Sequence, residues 1–330
     1  MARSSSANFL DVAPMTALFL TLCVAFHAFL WIKSAQDDER YGPEARTPSI
    51  EIAQIRSEVL QQSGASSRQG VWDGGWHRFF LPMFMHAGLI HILFNIFALY
   101  RLSPGLELHL GSSNFGTVYL MSGLGGTCFS LIFGGHISAG ASGAVFGLMG
   151  ATLGVKLALC AGLRRALKNS EIRQTAWYVL LNFLVCFMLP NVDHWNHLGG
   201  LLLGLLYGLL FEYSRNHQRV GLALVLGLTA LSVGLMLSVR WMVFNPHYHV
   251  YLGLRAERND DEAGADLHFD TARRWAKRWR SEAAGREIGQ ALMKGAVPRE
   301  RLMFYVRLLR DVGSRKQAQM FAELVLDPEI

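Results

Sequence analysis

Long apolar runs alternate with short polar segments over most of the chain, and this pattern predicts transmembrane helices. Each run approaches the about 20 residues that a helix needs to cross the hydrocarbon core of a bilayer. The predicted spans are Val12–Ile32, Pro82–Leu102, Phe115–Gly134, Ser142–Gly162, Thr175–Leu189, Trp195–Tyr213 and Val220–Phe244. The pattern therefore predicts an all-α polytopic membrane protein.

The same pattern divides the chain into segments with different surroundings. They are 1–32, with the N-terminus and the first span; 33–81, an outer loop; 82–213, with spans two to six; 214–244, with the seventh span; and 245–330, a small helical soluble tail. Composition agrees with this division, because only 17% of the residues are charged. An average soluble domain has about 25%.

The positive charges indicate how the spans are oriented. Lys and Arg follow the fourth and sixth spans, at Arg164, Arg165, Lys168, Arg173, Arg215 and Arg219. The loops 135–141 and 190–194 contain neither residue type. Because basic loops stay in the cytoplasm, we expect spans two, four and six to begin at the outer face and the tail to lie outside. If the first span is instead a cleaved signal peptide, the others keep this orientation.

Charge and motif content argue against several classes of protein. The net charge of +6 is spread over loops, so we expect no nucleic-acid partner. The four cysteines lie in apolar runs without CxxC spacing, which disfavours a disulfide framework or a zinc site. The chain has no HExxH motif, and no Asp or Glu lies inside an apolar run between Trp76 and Val192. These absences disfavour metalloprotease, aspartyl protease and proton-coupled transport chemistry, and no metal site is predicted.

The polar residues that remain inside the spans gather near the outer face. Ser142 begins the fourth span, His197 lies at the start of the sixth, and His91 and Asn95 share one face of the second. Glycines spaced by four on the fourth and sixth spans let those helices approach closely. A serine with a base within reach is a nucleophile, and His91 and Asn95 can donate to an oxyanion. The alternatives are a packing serine and structural histidines.

Four motifs occur in order along the chain: "HAGLIHILFN", "GLELHLG", "GASGAVFGLMGA" and "HLGGLLLG". With these motifs the chain resembles the rhomboid intramembrane serine proteases, from Trp76 to Tyr213. The resemblance implies a rhomboid-like six-helix core followed by one extra C-terminal transmembrane helix. It also implies that the substrates are transmembrane helices of other proteins in the lipid bilayer, cleaved near the outer face without a cofactor.

The resemblance further implies a Ser–His dyad that has no third carboxylate. Ser142 would attack the scissile carbonyl, and His197 would act as general base and then as general acid. His91 and Asn95 would bind the oxyanion together with the backbone N–H of Ser142. Supporting positions implied by the family motifs are His86, Phe146, Gly140, Gly143, Gly200 and Gly204.

The chain departs from the family pattern near these residues. Phe146 stands where many bacterial members have tyrosine, and Asn196 stands where alanine is more frequent. His194 is a rival base, and Asp193 either orients His197 or caps a loop.

Two other functions compete with a protease. One is a catalytically silent rhomboid-like chaperone or adaptor that binds membrane helices, and the other is a small-molecule transporter. The presence of Ser142 and His197 favours the protease. The sequence shows no evident inverted repeat of the kind found in many transporters, which argues against the transporter. We expect a multi-pass protein of a bacterial plasma membrane, with the site near the outer face. Whether the tail binds a partner stays open.

Overall fold

The computed structural model describes residues 9–41, 55–134, 137–160, 162–189, 192–240, 245–259, 261–279, 306–307, 310 and 319. The chain divides into two compact units, Met1–Val239 and Arg240–Ile330. Within the described residues the regular structure is helical, apart from one isolated antiparallel bridge between Ser66 and Ser138.

The described helices are numbered in chain order. Up to Arg240 they are α1 (Phe9–Val12), α2 (Pro14–Tyr41), α3 (Ser57–Gln62), α4 (Arg68–Trp72), α5 (Leu89–Leu110), α6 (Ser112–Phe133), α7 (Ser142–Leu159), α8 (Leu163–Lys168), α9 (Ser170–Met188), α10 (His194–Asn216) and α11 (Gln218–Arg240). The tail contributes α12 (Pro246–Arg258) and α13 (Glu262–Trp279). Turns of 3₁₀-helix occupy Trp76–Phe79 and Leu81–Phe84.

Five described helices are long and apolar enough to cross a membrane: α2, α5, α6, α7 and α11. The predicted fifth and sixth spans correspond to α9 and α10, which are not in this group. Polar residues explain the difference, because α9 begins with Ser170 and Glu171 and α10 begins with His194 and Asn196 in its first turn. The architecture is that of an all-α polytopic membrane protein, which confirms the predicted fold class.

Several predicted span ends differ from the helix ends, and those of the second span differ on both sides. Pro82 was expected to begin the second span, but it lies in a 3₁₀ turn, and α5 begins at Leu89 after the extended residue Gly88. The first span was expected to end at Ile32, but α2 continues through polar residues to Tyr41. Hydropathy marks the segment that suits the bilayer, whereas helix ends depend on backbone turns, so the two need not coincide.

Glycines bring α7 and α10 into direct backbone contact. A methyl group at Gly200 would overlap the carbonyl oxygen of Gly143, and one at Gly204 would overlap that of Gly147. These two approaches are hereafter the glycine contact. Membrane helices associate through such close packing of small residues, because lipid gives no hydrophobic force between them. The face that α6 turns toward α10 is also rich in glycine.

The described part of the tail is a pair of packed helices. Phe269 and Ala265 of α13 are fully buried, and Tyr251 of α12 is buried as well. Asp261 precedes α13 and accepts a hydrogen bond from the N–H of Gly264 at 2.9 Å, which caps the helix. Most of residues 280–330 of the predicted helical tail lie outside the described residues.

Candidate active site

Ser142 is the first residue of α7, and a glycine turn leads into it. Gly140 has a φ of 147°, in a region that L side chains rarely adopt. Its N–H donates to the carbonyl oxygen of Pro82 at 2.8 Å, and the N–H of Ala141 donates to Nε2 of His86 at 3.4 Å. These bonds fix the entry to the helix, so the partly buried serine is presented at a helix N-terminus.

His91 lies beside the same glycine turn. A methyl group at Gly140 would lie 2.8 Å from Cε1 of His91, 2.9 Å from Nε2 and 3.6 Å from Oγ of Ser142. The imidazole and the hydroxyl therefore border the same small space. The ring of His86 meets that of His91 edge to face, with centroids 5.2 Å apart. His27 adds support, because its Nδ1 lies 3.3 Å from the carbonyl oxygen of His86.

Asn95 is buried one turn after His91, but its amide is directed into its own helix. Nδ2 of Asn95 donates to the carbonyl oxygen of His91 at 2.9 Å. The structure thus brings His91 to Ser142, while the amide donor of Asn95 is engaged within α5. Nδ2 carries a second N–H, which this bond leaves available to a ligand.

His197 lies in the first turn of α10 and is only 3% exposed. Its ring stacks on Phe146, with centroids 4.4 Å apart and an interplanar angle of 18°. Phe146 follows Ser142 by one helical turn on α7, so the stack lies on the face that carries the serine. Within the described residues, Nδ1 of His197 has no hydrogen-bond partner, and no hydrogen bond joins this ring to Ser142.

The glycine contact determines how closely the serine and the histidine approach. Gly143 directly follows Ser142, and Gly200 lies three residues after His197. Because the two backbones touch at Gly143 and Gly200, the hydroxyl and the imidazole project from the same end of the helix pair.

The groups at this end are those that nucleophilic catalysis uses. A hydroxyl lies at a helix N-terminus, where free N–H groups favour negative charge, and imidazoles lie on either side. In the part of the chain that the structure describes, no three His, Cys, Asp or Glu side chains are grouped to hold a metal ion.

Comparison with known proteins places this site in a family. Residues 73–214 match the rhomboid domain. Over 143 residues the chain is 34% identical to the putative rhomboid protease YdcA of Bacillus subtilis. The aligned residues cover 43% of this chain and 70% of that protein. The chain belongs to the rhomboid family. Together with its apolar helices, this membership makes it an integral multi-pass membrane protein.

Two longer relatives match the same rhomboid region. The chain is 34% identical over 148 residues to rhomboid protease GluP of Bacillus subtilis, covering 45% of this chain and 28% of that protein. It is 35% identical over 159 residues to rhomboid-type serine protease 2 of Emericella nidulans, covering 45% of this chain and 30% of that protein. The chain therefore spans less than a third of the length of these two rhomboid proteins.

Asp193 and His194, which lie just before His197, each contact a neighbouring helix. Asp193 accepts a hydrogen bond from the N–H of Asn196 at 3.1 Å and another from the hydroxyl of Ser130. Asp193 therefore caps α10 and links it to α6, which favours the capping alternative. His194 stacks on the ring of Phe187 in α9, with centroids 4.3 Å apart.

Two arginines, Arg68 and Arg78, organise the first loop, which precedes α5. Nη1 of Arg78 donates to the carbonyl oxygens of Gln61 at 2.7 Å and Ala65 at 2.8 Å. Arg68 donates to the carbonyl oxygens at the end of α6, those of Leu131, Ile132 and Gly134. A helix C-terminus leaves such oxygens unpaired, and a guanidinium satisfies them. Sequence analysis missed Arg68, because a single arginine in a polar loop gives no signal of its partners.

Glu107 is a buried carboxylate in the last turn of α5. It accepts hydrogen bonds from the N–H groups of Met15 at 2.9 Å and Thr16 at 2.8 Å. The hydroxyls of Thr16 and Ser112 each donate to it at 2.7 Å. A negative charge at a helix N-terminus is favourable, so Glu107 fixes the start of α2 against the rhomboid core.

Proposed function

We propose that this chain is an intramembrane serine protease that hydrolyses peptide bonds in or near transmembrane segments of membrane proteins. Ser142 is the nucleophile and His197 the general base and acid. The observation that carries the proposal is the glycine contact between α7 and α10. It holds the two helices so close that the hydroxyl of Ser142 and the imidazole of His197 project from the same end of the helix pair. The three relatives reported above are all named as rhomboid or serine proteases, which supports the same activity.

The reaction proceeds in two acyl transfers. Oγ of Ser142 attacks the scissile carbonyl carbon while His197 takes the hydroxyl proton, and a tetrahedral oxyanion forms. The oxyanion collapses, the C–N bond breaks, and His197 gives its proton to the leaving amine. Water then attacks the acyl carbon while His197 takes a proton from that water, and a second tetrahedral oxyanion forms. It collapses with cleavage of the bond between the acyl carbon and Oγ, and His197 gives its proton to Oγ, which restores the Ser142 hydroxyl and releases the acid. The side chains alone supply this chemistry.

The hydrogen bond between Ser142 and His197 forms when the substrate binds. Catalytic hydrogen bonds are often long in the unbound state and tighten in the complex. Stacking on Phe146 keeps the imidazole ring beside α7 in the meantime. The ring of His91 already borders the serine, so it is the donor best placed to meet the developing oxyanion.

The proposed substrates are transmembrane helices of other proteins, which reach the site from the lipid bilayer. Basic residues follow α7, at Arg164, Arg165 and Lys168, and Arg215 lies in the last turn of α10. The positive-inside rule puts these ends in the cytoplasm and the site near the outer face of a bacterial plasma membrane.

The full chain reconstituted in liposomes tests the activity. We expect it to cleave a reporter protein that carries one transmembrane helix, and we expect a fluorophosphonate to block cleavage and to label Ser142, as mapped by mass spectrometry. Labelling needs no substrate, so an unsuitable reporter does not obscure the result. A protein that binds the reporter helix but neither cleaves it nor reacts with the probe would instead be a non-proteolytic chaperone or adaptor.

Loss of one oxyanion donor should lower the rate strongly. We expect His91→Ala and Asn95→Ala each to reduce kcat by about 10²–10³-fold, as for single donors in soluble proteases. Asn182→Ala is a matched control, because Nδ2 of Asn182 makes the same kind of bond within α9, to the carbonyl oxygen of Tyr178 at 2.8 Å. Initial rates on the reporter measure the effect. Equal rates for Asn95→Ala and Asn182→Ala would remove Asn95 from the oxyanion site.

A further inference from the structure

Asn196 is a buried polar residue directly before His197. It lies in the first turn of α10 and is 6% exposed. Its Nδ2 donates to Oγ of Ser138 at 3.2 Å. Ser138 lies four residues before Ser142, in the segment that connects α6 to α7. A side chain on the helix of the base therefore holds the segment that presents the nucleophile.

The amide of Asn196 fits a space made by glycines of two other helices. A methyl group at Gly126 of α6 or at Gly143 of α7 would overlap Oδ1 of Asn196. Burying an amide is unfavourable unless it makes hydrogen bonds. Alanine would leave this space empty and Ser138 without its donor, so the site is shaped for an amide.

Ser138 is anchored on its other side by the first loop. The N–H of Ser66 donates to the carbonyl oxygen of Ser138 at 2.9 Å, and the N–H of Ser138 donates to that of Ser66 at 2.9 Å. On the side of α10, the N–H of Asn196 donates to Asp193. The bond between Asn196 and Ser138 thus joins the start of α10 to the segment before α7, and each of these is also held by other hydrogen bonds.

We infer that Asn196 is a positioning residue for the proposed reaction: through Ser138 it holds the turn before Ser142 in place relative to His197. The inference rests on the proposed function. Asn196 acts through Ser138 and not on the reacting atoms. A positioning role predicts a change in the reactivity of Ser142, whereas a merely structural role predicts a change in thermal stability alone.

The test compares Asn196→Ala, Ser138→Ala and the double variant in the full chain. The measurements are the rate of fluorophosphonate labelling, kcat and KM on the reporter, and Tm. We expect each single variant to lower the labelling rate and kcat by about 10-fold with KM unchanged, because small displacements of reacting groups are costly. The double variant should lose no more than either single one, since both remove the same bond.

Tyr207→Phe is the matched control, because it removes another side-chain hydrogen bond of α10, from Tyr207 to Thr229 at 3.0 Å. It should alter Tm and leave the labelling rate unchanged. Wild-type labelling by Asn196→Ala, or single losses that add in the double variant, would overturn the inference. If Asn196→Ala does not fold, Ser138→Ala carries the same test. A wild-type chain that neither labels nor cleaves would overturn the proposed function and this inference with it.

Discussion

Ser142→Ala and His197→Ala will each abolish cleavage of a transmembrane reporter, with losses in kcat on the order of 10⁴-fold or more. Without the hydroxyl there is no nucleophile, and without the imidazole the hydroxyl keeps its proton and reacts poorly. Because the two residues act as a unit, the double variant should be no slower than either single one. Initial rates in liposomes at equal protein amounts measure these losses.

His194→Ala separates the base from its neighbour. His194 is the rival histidine of the same helix turn, and it stacks on Phe187 rather than on Phe146. We expect His194→Ala to keep cleavage within a few-fold of the wild type, because it leaves the ring of His197 stacked on Phe146. If cleavage survives in His197→Ala and disappears in His194→Ala, the base has been assigned to the wrong residue.

Gly200→Ala will lower Tm and cleavage together. Alanine normally favours a helix over glycine by roughly 1 kcal/mol. At Gly200 the added methyl group would overlap the carbonyl oxygen of Gly143, which is backbone and cannot rotate away. Overpacking of this kind costs about 1–3 kcal/mol. Relieving the overlap would move α10 away from α7 at the end of the helix pair that carries His197 and Ser142. Thermal unfolding in detergent and reporter cleavage measure the two effects.

Gly227→Ala and Gly234→Ala are the matched controls for this substitution. Both glycines lie in α11, and a methyl group at either would meet nothing within 4 Å. We expect these variants to be as stable as the wild type or slightly more stable. A Gly200→Ala variant that behaves like them would contradict the glycine contact.

Sequence alone could predict the parts of this molecule that depend on local pattern. Apolar runs predicted the all-α membrane fold, and four short motifs predicted membership of the rhomboid family, which the comparisons confirm. The candidate residues Ser142, His197 and His91 were identified from their spacing and from the glycines beside them. Their catalytic roles stay predictions until the variants are measured.

The contacts between distant segments could not be predicted in this way. Glu107 binds the N–H of Thr16, which lies 91 residues earlier, and no local pattern indicates that pairing. The start of α5 at Leu89 was missed because the residues from Pro82 onward are as apolar as those of a transmembrane helix. Hydropathy therefore did not reveal that their backbone begins with a 3₁₀ turn. The bond from Asn196 to Ser138 likewise joins residues 58 apart in sequence.

The glycine contact also limits how the site can adjust to a substrate. Backbone meets backbone at Gly143 and Gly200, so no side chain there can change rotamer to let the helices slide or separate. The remaining distance between the hydroxyl of Ser142 and the imidazole of His197 must therefore be closed by rotation about their own side-chain bonds. Exposed side chains rotate in picoseconds to nanoseconds, but the ring of His197 is only 3% exposed and is stacked on Phe146, so its rotation is hindered. Activation of the serine is then a local event at the imidazole ring, which depends on the packing around Phe146 and not on movement of the two helices.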